Sequence, residues 1–213
     1  MSSDVPRETE LSTRYAEVPG LPAFAEILAT RGVDRGLIGP REVPRLWSRH
    51  LVNCAVVAQE VDGDLPHGGR IADVGSGAGL PGLVWALVRP DLHVTLIEPL
   101  LRRATFLTEV VDELFLAERV EVVRARAEDV APATFDVVTA RAVARLPQLL
   151  VWTLPLARVG GVVLALKGSG ARQEVQEAQG AAAALGAGPV TIRPYGVGLI
   201  DPPTTVVVVP RVR

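Results

Sequence analysis

The chain has 213 residues and a net charge of −2, with 48% hydrophobic and 22% charged residues. This composition predicts a soluble globular protein with one sizeable core and a short additional segment. No apolar run approaches the roughly 18 residues that a membrane-spanning helix needs, and the polar N-terminus lacks the apolar core of a signal peptide. The single cysteine, Cys54, excludes an internal disulfide and suits a reducing compartment. We therefore expect a cytoplasmic protein without membrane contact, in which any nucleic-acid binding depends on a local basic patch.

The N-terminal part of the chain predicts a helical extension. Helices are predicted at Leu21–Arg31 and Glu42–Val61, and the loop between them is rich in glycine and ends in a proline. Arginine recurs every four residues along the second helix, at Arg41, Arg45 and Arg49. Such a stripe suits phosphate groups, although a merely solvated helix face would show the same pattern.

Strands and helices alternate after this extension, which predicts an α/β fold with a mainly parallel, doubly wound sheet. Seven strands are predicted, at Ile71–Val74, His93–Ile97, Val120–Val123, Phe135–Thr139, Gly161–Leu166, Pro189–Arg193 and Thr205–Val209. The helices of this part are predicted at Leu80–Val88, Pro99–Leu116, Leu146–Ala157 and Arg172–Leu185. The last two strands have only a loop between them, so we expect an antiparallel hairpin at the sheet edge. We assign residues 1–64 to the extension and 65–213 to the main domain, within one compact unit.

The first predicted strand runs into a glycine-rich turn that continues as a helix. The turn reads Asp73-Val74-Gly75-Ser76-Gly77-Ala78-Gly79-Leu80-Pro81-Gly82. Strand, glycine turn and helix form the first unit of a nucleotide-binding sheet, where glycine allows a ligand to approach the backbone closely. The glycine spacing also matches the dinucleotide pattern, but the carboxylate of Asp73 would repel a pyrophosphate. It would attract a ligand with an ammonium and a sulfonium group, which indicates S-adenosylmethionine (SAM). The alternative is that Asp73 only caps the turn.

Four further charged residues follow predicted strands, at the sheet edge where ligands of open α/β sheets lie. Glu98 can accept hydrogen bonds from both ribose hydroxyls, or it can stabilise the start of the next helix. Glu128 can face the adenine edge or lie in a solvated turn. Arg141 can bind the SAM carboxylate or a substrate phosphate. Lys167, the only lysine among 22 basic residues, can contact a phosphate or the target base.

The region after the fourth predicted strand restricts the target atom. It contains no Asn/Asp-Pro-Pro-aromatic sequence that would hold an exocyclic amine, and no cysteine for attack on a pyrimidine ring. A target that is already nucleophilic, such as guanine N7, would need no general base. The enzyme would then act by aligning N7 with the methyl carbon and the sulfur leaving group.

Four segments resemble the RsmG/GidB family of ribosomal RNA methyltransferases, and the resemblance extends from about Arg41 to Val209. They are Asp73–Gly82, Arg49-His50-Leu51, Ala140-Arg141-Ala142-Val143-Ala144 and Ala165-Leu166-Lys167-Gly168. The resemblance implies a Rossmann-like class I SAM-dependent methyltransferase of the bacterial cytoplasm. It also implies that the enzyme methylates N7 of a guanine in the decoding-region loop of 16S ribosomal RNA.

The resemblance implies roles for individual residues as well. SAM contacts are expected at Gly75, Leu80, Ala127, Glu128 and Arg141, with Glu98 at the ribose. Asp73, Ser76 and Gly77 complete the predicted cofactor site because they belong to the glycine turn. The residues expected in catalysis or RNA contact are Arg49, His50, Arg141 and Lys167. We expect no metal, a monomeric enzyme, and contact with 16S ribosomal RNA or the small subunit through the arginine stripe.

One segment departs from the family pattern. Many members carry a Trp-Asn…Asn-Leu-Thr sequence before the Arg-His pair, where this chain has 31–39, Arg-Gly-Val-Asp-Arg-Gly-Leu-Ile-Gly. Its contribution to the mouth of the site is therefore open. Other functions also stay open: methylation of another RNA, a small molecule or a protein, and RNA or nucleotide binding without catalysis. A dinucleotide oxidoreductase is disfavoured, because the chain has no Tyr-x-x-x-Lys pair.

Overall fold

A seven-stranded sheet lies at the centre of the computed structural model, which describes residues 13–59 and 63–213. The strand order is β3-β2-β1-β4-β5-β7-β6. The strands are β1 (Arg70–Val74), β2 (His93–Ile97), β3 (Val120–Val123), β4 (Phe135–Arg141), β5 (Ala157–Lys167), β6 (Thr191–Tyr195) and β7 (Thr204–Pro210). Strands β1 to β5 are parallel, whereas β7 is antiparallel to both β5 and β6. The predicted doubly wound sheet and its edge hairpin are confirmed.

α-Helices cover the two faces of this sheet. They are α1 (Leu21–Ile27), α2 (Val52–Gln59), α3 (Gly82–Val88), α4 (Leu101–Glu113), α5 (Leu146–Thr153) and α6 (Ala171–Ala184). Helices α1 to α4 share one apolar core on one face, and α5 and α6 share a second core on the other. Within the described ranges, no helix is long and apolar enough to cross a membrane.

Helix α3 shows why the sequence after the glycine turn is apolar on every side. All seven of its residues are buried. The sheet covers one side of the helix and the N-terminal extension covers the other, so no polar face is needed. The helix begins at Gly82, two residues later than predicted, and Pro81 directly precedes it.

The second N-terminal helix is not the continuous α-helix that the sequence predicted. Residues Pro40–Arg45 form a 3₁₀-helix, Trp47–Leu51 form a π-helical turn, and α2 follows. Pro44 lies inside the 3₁₀-helix and has no N–H to donate to a helical hydrogen bond. The predicted end at Val61 lies outside the described residues. Since the winding changes along the segment, a constant helical period does not set the directions of the three arginines of the stripe, although each of them is exposed.

The extension is joined to the sheet domain by buried polar contacts as well as by the shared core. The indole N–H of Trp85 in α3 donates to the carbonyl of Cys54 at 2.9 Å. The hydroxyl of Thr204, at the start of β7, donates to the carbonyl of Asn53 at 3.0 Å. Helix α2 is thereby held against the rim of the sheet where the predicted site residues lie.

Candidate functional site

The glycine turn after β1 places its residues at the carboxyl edge of the sheet. Gly75, Gly77 and Gly79 have φ angles of 69°, 57° and 89°, a region that residues with a Cβ rarely adopt. A Cβ at Gly75 would lie 2.7 Å from Val143, and one at Gly79 would collide with Leu83. At Gly77, by contrast, the nearest atom to a Cβ would be 3.7 Å away. Gly77 is therefore the least crowded of these three glycines, where a Cβ would make only an ordinary contact and a ligand has room to approach the backbone.

Asp73 connects the end of β1 to the start of α3. Its Oδ2 accepts a hydrogen bond from the Gly82 N–H at 3.0 Å, and the Ser76 hydroxyl donates to the Asp73 carbonyl at 2.7 Å. The side chain is fully buried, and its Oδ1 has no hydrogen-bond partner in the part of the chain that the structure describes. Burial raises the pKa of Asp73 to about 7, against the opposing effect of the Gly82 N–H. Asp73 therefore caps the turn, as the alternative interpretation predicts, and its unpaired Oδ1 is a buried acceptor whose ionised form a cationic ligand would stabilise.

Glu98 follows β2 and holds the glycine turn from the opposite side. Its Oε2 accepts the N–H of Gly77 and its Oε1 accepts the N–H of Leu100, both at 3.0 Å. The residue is 2% exposed. Glu98 therefore stabilises the segment before α4, which is the alternative to ribose binding that the sequence left open. Because a carboxylate has about four acceptor positions, it can still accept bonds from a ribose.

The predicted adenine side of the site lies after β3. Ala127 and Glu128 belong to a short 3₁₀-turn, Ala127–Asp129, in which Ala127 is buried and Glu128 is exposed. The parallel register of β2 and β3 puts this turn beside Glu98 at the same edge of the sheet. The backbone turn and the two carboxylates are therefore in the order that a nucleoside along this edge would require.

Arg141, the last residue of β4, joins the sheet to the N-terminal extension. Its guanidinium contacts Nδ1 of His50 and lies 3.3 Å from Sγ of Cys54. Nε2 of His50 lies 3.1 Å from a carboxylate oxygen of Glu42. Burial and the neighbouring Arg141 charge lower the pKa of His50, so the ring is neutral at pH 7. A neutral ring that accepts from Arg141 at Nδ1 must carry its proton at Nε2, where it donates to Glu42.

Lys167, the last residue of β5, has its charge paired inside the protein. Its ammonium donates to the carbonyl of Ala144 at 2.7 Å and to a carboxylate oxygen of Glu174 at 2.8 Å. The same oxygen of Glu174 accepts the N–H of Leu146 at 2.7 Å. Burial opposes ionisation of Glu174, but the hydrogen bonds from Lys167 and Leu146 bring its net pKa below the ordinary value. The pair therefore fastens the loop that follows β4.

A cavity of about 700 Å³ opens beside these residues, between the ends of β4 and β5 and the loop before β7. Arg49, Arg141, Arg145 and Lys167 line it, together with Glu174. Of the predicted residues, the cavity thus brings together Arg49, Arg141 and Lys167, while His50 lies behind Arg141. Its positive lining is suited to a phosphate-bearing substrate.

The chain was compared with known families and proteins. Residues 18–196 match the family model GidB, described as rRNA small subunit methyltransferase G. The chain belongs to the GidB family. It is 54% identical over 198 residues to Ribosomal RNA small subunit methyltransferase G of Salinispora tropica, covering 90% of this chain and 80% of that protein. It is 53% identical over 214 residues to the protein of the same name from Mycolicibacterium vanbaalenii, covering 92% of each.

Solved structures at lower identity show the same fold as this GidB chain. TrmI, a tRNA methyltransferase from Aquifex aeolicus, superposes with a TM-score of 0.54 at 12% identity, over 70% of this chain and 64% of that one. TYW2 of M. jannaschii, solved in complex with AdoMet, superposes with a TM-score of 0.56 at 18% identity, over 75% and 71% of the two chains. The class I methyltransferase fold is therefore confirmed.

Several residues of this GidB site were not predicted from the sequence. Glu42 and Glu174 each orient a basic residue, and Val143 packs against the glycine turn. Glu42 lies in the predicted helix eight residues before His50, a spacing without a regular helical meaning. Glu174 lies seven residues after Lys167, so a search for a carboxylate near the single lysine would have found it. Val143 lies in the family segment Ala140–Ala144, but its contact with the glycine turn depends on the turn at Ala142, which has a φ of 55° and which the sequence does not predict.

Proposed function

We propose that this chain transfers a methyl group from SAM to N7 of a guanine in the decoding-region loop of 16S ribosomal RNA. The observation that carries the proposal is the loop after β4, which borders both halves of the site. Val143 packs on the glycine turn, while Arg141 and Ala144 line the basic cavity. A ligand on the turn and a nucleotide in the cavity would therefore be neighbours, as a direct transfer requires.

The described residues fit SAM by charge and shape. The open side of Gly77 leaves room against the backbone, and the unpaired Oδ1 of Asp73 suits the positive end of the ligand. Glu98 has acceptor positions free for the ribose hydroxyls. The remaining proposed contacts are Gly75, Ser76, Leu80, Ala127, Glu128 and Arg141. SAM would supply a methyl group activated by its sulfonium leaving group.

The chain itself would act by positioning. Guanine N7 carries a free lone pair at neutral pH, so no residue has to remove a proton before transfer. The nucleotide would be held at its phosphate or base edge by Arg141, Arg49 and Lys167. Among these three, Arg141 is held in place by the neutral ring of His50. In this assignment His50 is a positioning residue and not a group that contacts substrate.

The exposed arginines of the extension would supply contacts to the RNA outside the cavity. Arg41, Arg45 and Arg49 are all exposed, and Arg49 also lines the cavity. Phosphates of the RNA would bind these side chains without base specificity. We propose that the enzyme acts as a monomer in the bacterial cytoplasm, which contains this RNA.

Transfer of tritium from labelled SAM to small ribosomal subunits tests the proposal. The subunits would come from a strain that lacks the modification, and modified subunits from the parent strain are the control. We expect label in the unmodified subunits and none in the control. Equal activity on a small molecule without RNA, or RNA binding without transfer, would support the other functions that the sequence left open.

A further inference from the structure

A second cleft lies away from the basic cavity, between residues 34–37 of the extension and the start of α4. Its volume is about 900 Å³. Arg35, Arg102 and Arg103 contribute its basic side chains, and Asp34 its acidic one. Nothing in the proposed transfer of the methyl group uses this cleft.

Arg102 and Arg103 lie beside this cleft with no charge partner among the residues that the structure describes. Both side chains are exposed, and neither makes a hydrogen bond or ion pair within residues 13–59 and 63–213. Arg35 differs, because it donates to Glu109 at 2.6 Å and its guanidinium lies 5.6 Å from the ring centroid of Phe106. Arg102 and Arg103 also occupy the first turn of α4, where the helix dipole disfavours positive charge. The two guanidinium groups are therefore available, within the described residues, to bind an external anion.

The cleft also presents apolar surface. Leu100 and Leu101 line it and are 53% and 59% exposed. Large aliphatic side chains beside arginines suit a ligand that combines apolar faces with negative charge. Unpaired nucleotides have this combination, since their bases expose flat faces and each carries a phosphate.

Two exposed arginines lie between the cleft and the basic cavity along the chain. The chain leaves the cleft at Leu37 and enters the cavity lining at Arg49, with exposed Arg41 and Arg45 between them. These two side chains are positive contacts available to an RNA strand that reaches from the cavity to the cleft.

We infer that this cleft binds unpaired nucleotides of the substrate RNA that flank the target guanine, with their phosphates on Arg102 and Arg103. The inference rests on the proposed function. The segment that departs from the family pattern, 31–39, then contributes to RNA binding at the cleft and not to the mouth of the cavity.

The double variant R102Q/R103Q tests the cleft, with R70Q/R213Q as a control that removes the same charge. Arg70 and Arg213 are exposed and lie at the opposite, amino-terminal side of the parallel strands, where Arg70 lies 6.0 Å from the ring centroid of Phe135 and Arg213 donates to the carbonyl of Ala183 at 3.0 Å. With unmodified small subunits as substrate, we expect R102Q/R103Q to lower kcat/KM by at least 10-fold. The slope of log(kcat/KM) against log salt should become shallower by about 1.4, as loss of two single-strand phosphate contacts predicts. The Kd for SAM and the thermal midpoint should stay at the wild-type values.

A third variant, Leu101→Ser, distinguishes the apolar contact with the bases from the charged contact with the phosphates. It should lower kcat/KM without changing the salt slope, because it removes apolar contact and no charge. If the wild-type enzyme methylates the subunits and R102Q/R103Q has the same kcat/KM and the same salt slope, the inferred role of the cleft in RNA binding is wrong, and the proposed function is unaffected. Equal losses in the control variant would also overturn it, since any two surface arginines would then suffice. Failure of the wild-type enzyme to methylate the subunits would overturn the proposed function, and the cleft inference with it.

Discussion

Gly77 and Gly79 belong to one turn but have different physical roles. A Cβ at Gly77 would make only an ordinary contact with the Gly75 carbonyl oxygen at 3.7 Å, whereas a Cβ at Gly79 would collide with Leu83. We predict that Gly77→Ala weakens SAM binding at least 10-fold, with a loss of only about 1–2 kcal/mol of stability from its positive φ. Gly79→Ala should lose more stability than Gly77→Ala, because backbone strain and overpacking add.

Titration calorimetry with SAM and urea unfolding of both variants check this contrast. A Gly77→Ala protein that binds SAM like the wild type would show that the open side of the turn is not the ligand side. Equal losses of stability in the two variants would contradict the added cost of overpacking against Leu83 at Gly79.

Asp73 links the site to the pH dependence of stability. Its folded pKa, about 7, lies above the ordinary aspartate value of 3.8, so between these pH values the folded protein binds a proton that the unfolded chain has released. The contribution to stability is fully present below pH 3.8 and decreases as pH rises towards 7, by roughly 4 kcal/mol in total. We predict that, as pH rises over this range, the unfolding free energy of the wild type decreases relative to that of Asp73→Asn. Urea titrations between pH 4.5 and 8 measure it, and a pH-independent difference would contradict the raised pKa.

The connection between the extension and β4 is a prediction at the scale of the element. The pKa of His50 is lowered by burial and by the charge of Arg141. As pH falls through that pKa, the ring gains a proton at Nδ1 and can no longer accept the hydrogen bond from Arg141. Protonation would put a cation against the guanidinium of Arg141, with Arg49 also near and only Glu42 to oppose it. We predict that methyl transfer has an acidic limb, which His50→Gln removes because an amide oxygen can accept from Arg141 at any pH.

His50→Ala is the matched variant, because it lacks an acceptor and should lose at least 10-fold in kcat/KM at neutral pH. A pH profile of kcat/KM for the three proteins provides the measurement. An unchanged acidic limb in His50→Gln would assign that limb to another group.

The loop after β4 depends on the Lys167–Glu174 pair, whose side chains are 9% and 19% exposed. Removing one partner leaves a largely buried charge unpaired, so we predict that Lys167→Met costs roughly 3 kcal/mol. A double-mutant cycle with Glu174→Gln should show a coupling of about 1 kcal/mol or more. Lys167→Arg should also lose activity, since a guanidinium does not fit the position of a buried ammonium that serves Ala144 and Glu174. Full activity of Lys167→Arg would refute this role of the lysine.

Much of the whole molecule follows from the sequence because its signals are local. The strands are short apolar runs, and the glycine turn needs only its own residues, so the seven strands, the mainly parallel sheet and the placement of Asp73 and Glu98 after β1 and β2 were predictable. The partner of Arg141 was not, because His50 and Arg141 are far apart in the chain and meet only after the extension packs on α3. The altered winding of residues 40–51 was missed because periodicity assumes one helical geometry. The division at residue 64 stays a prediction, as do the individual site roles.

Mapping of the modified base in small subunits after reaction with methyl-labelled SAM tests the methyl transfer most directly. Nuclease digestion and mass spectrometry should find the label on N7 of one guanine in the decoding-region loop, and none with Gly77→Val, whose side chain fills the turn. Label on another base or atom, or no label from an enzyme that binds SAM, would contradict transfer to guanine N7 in this loop.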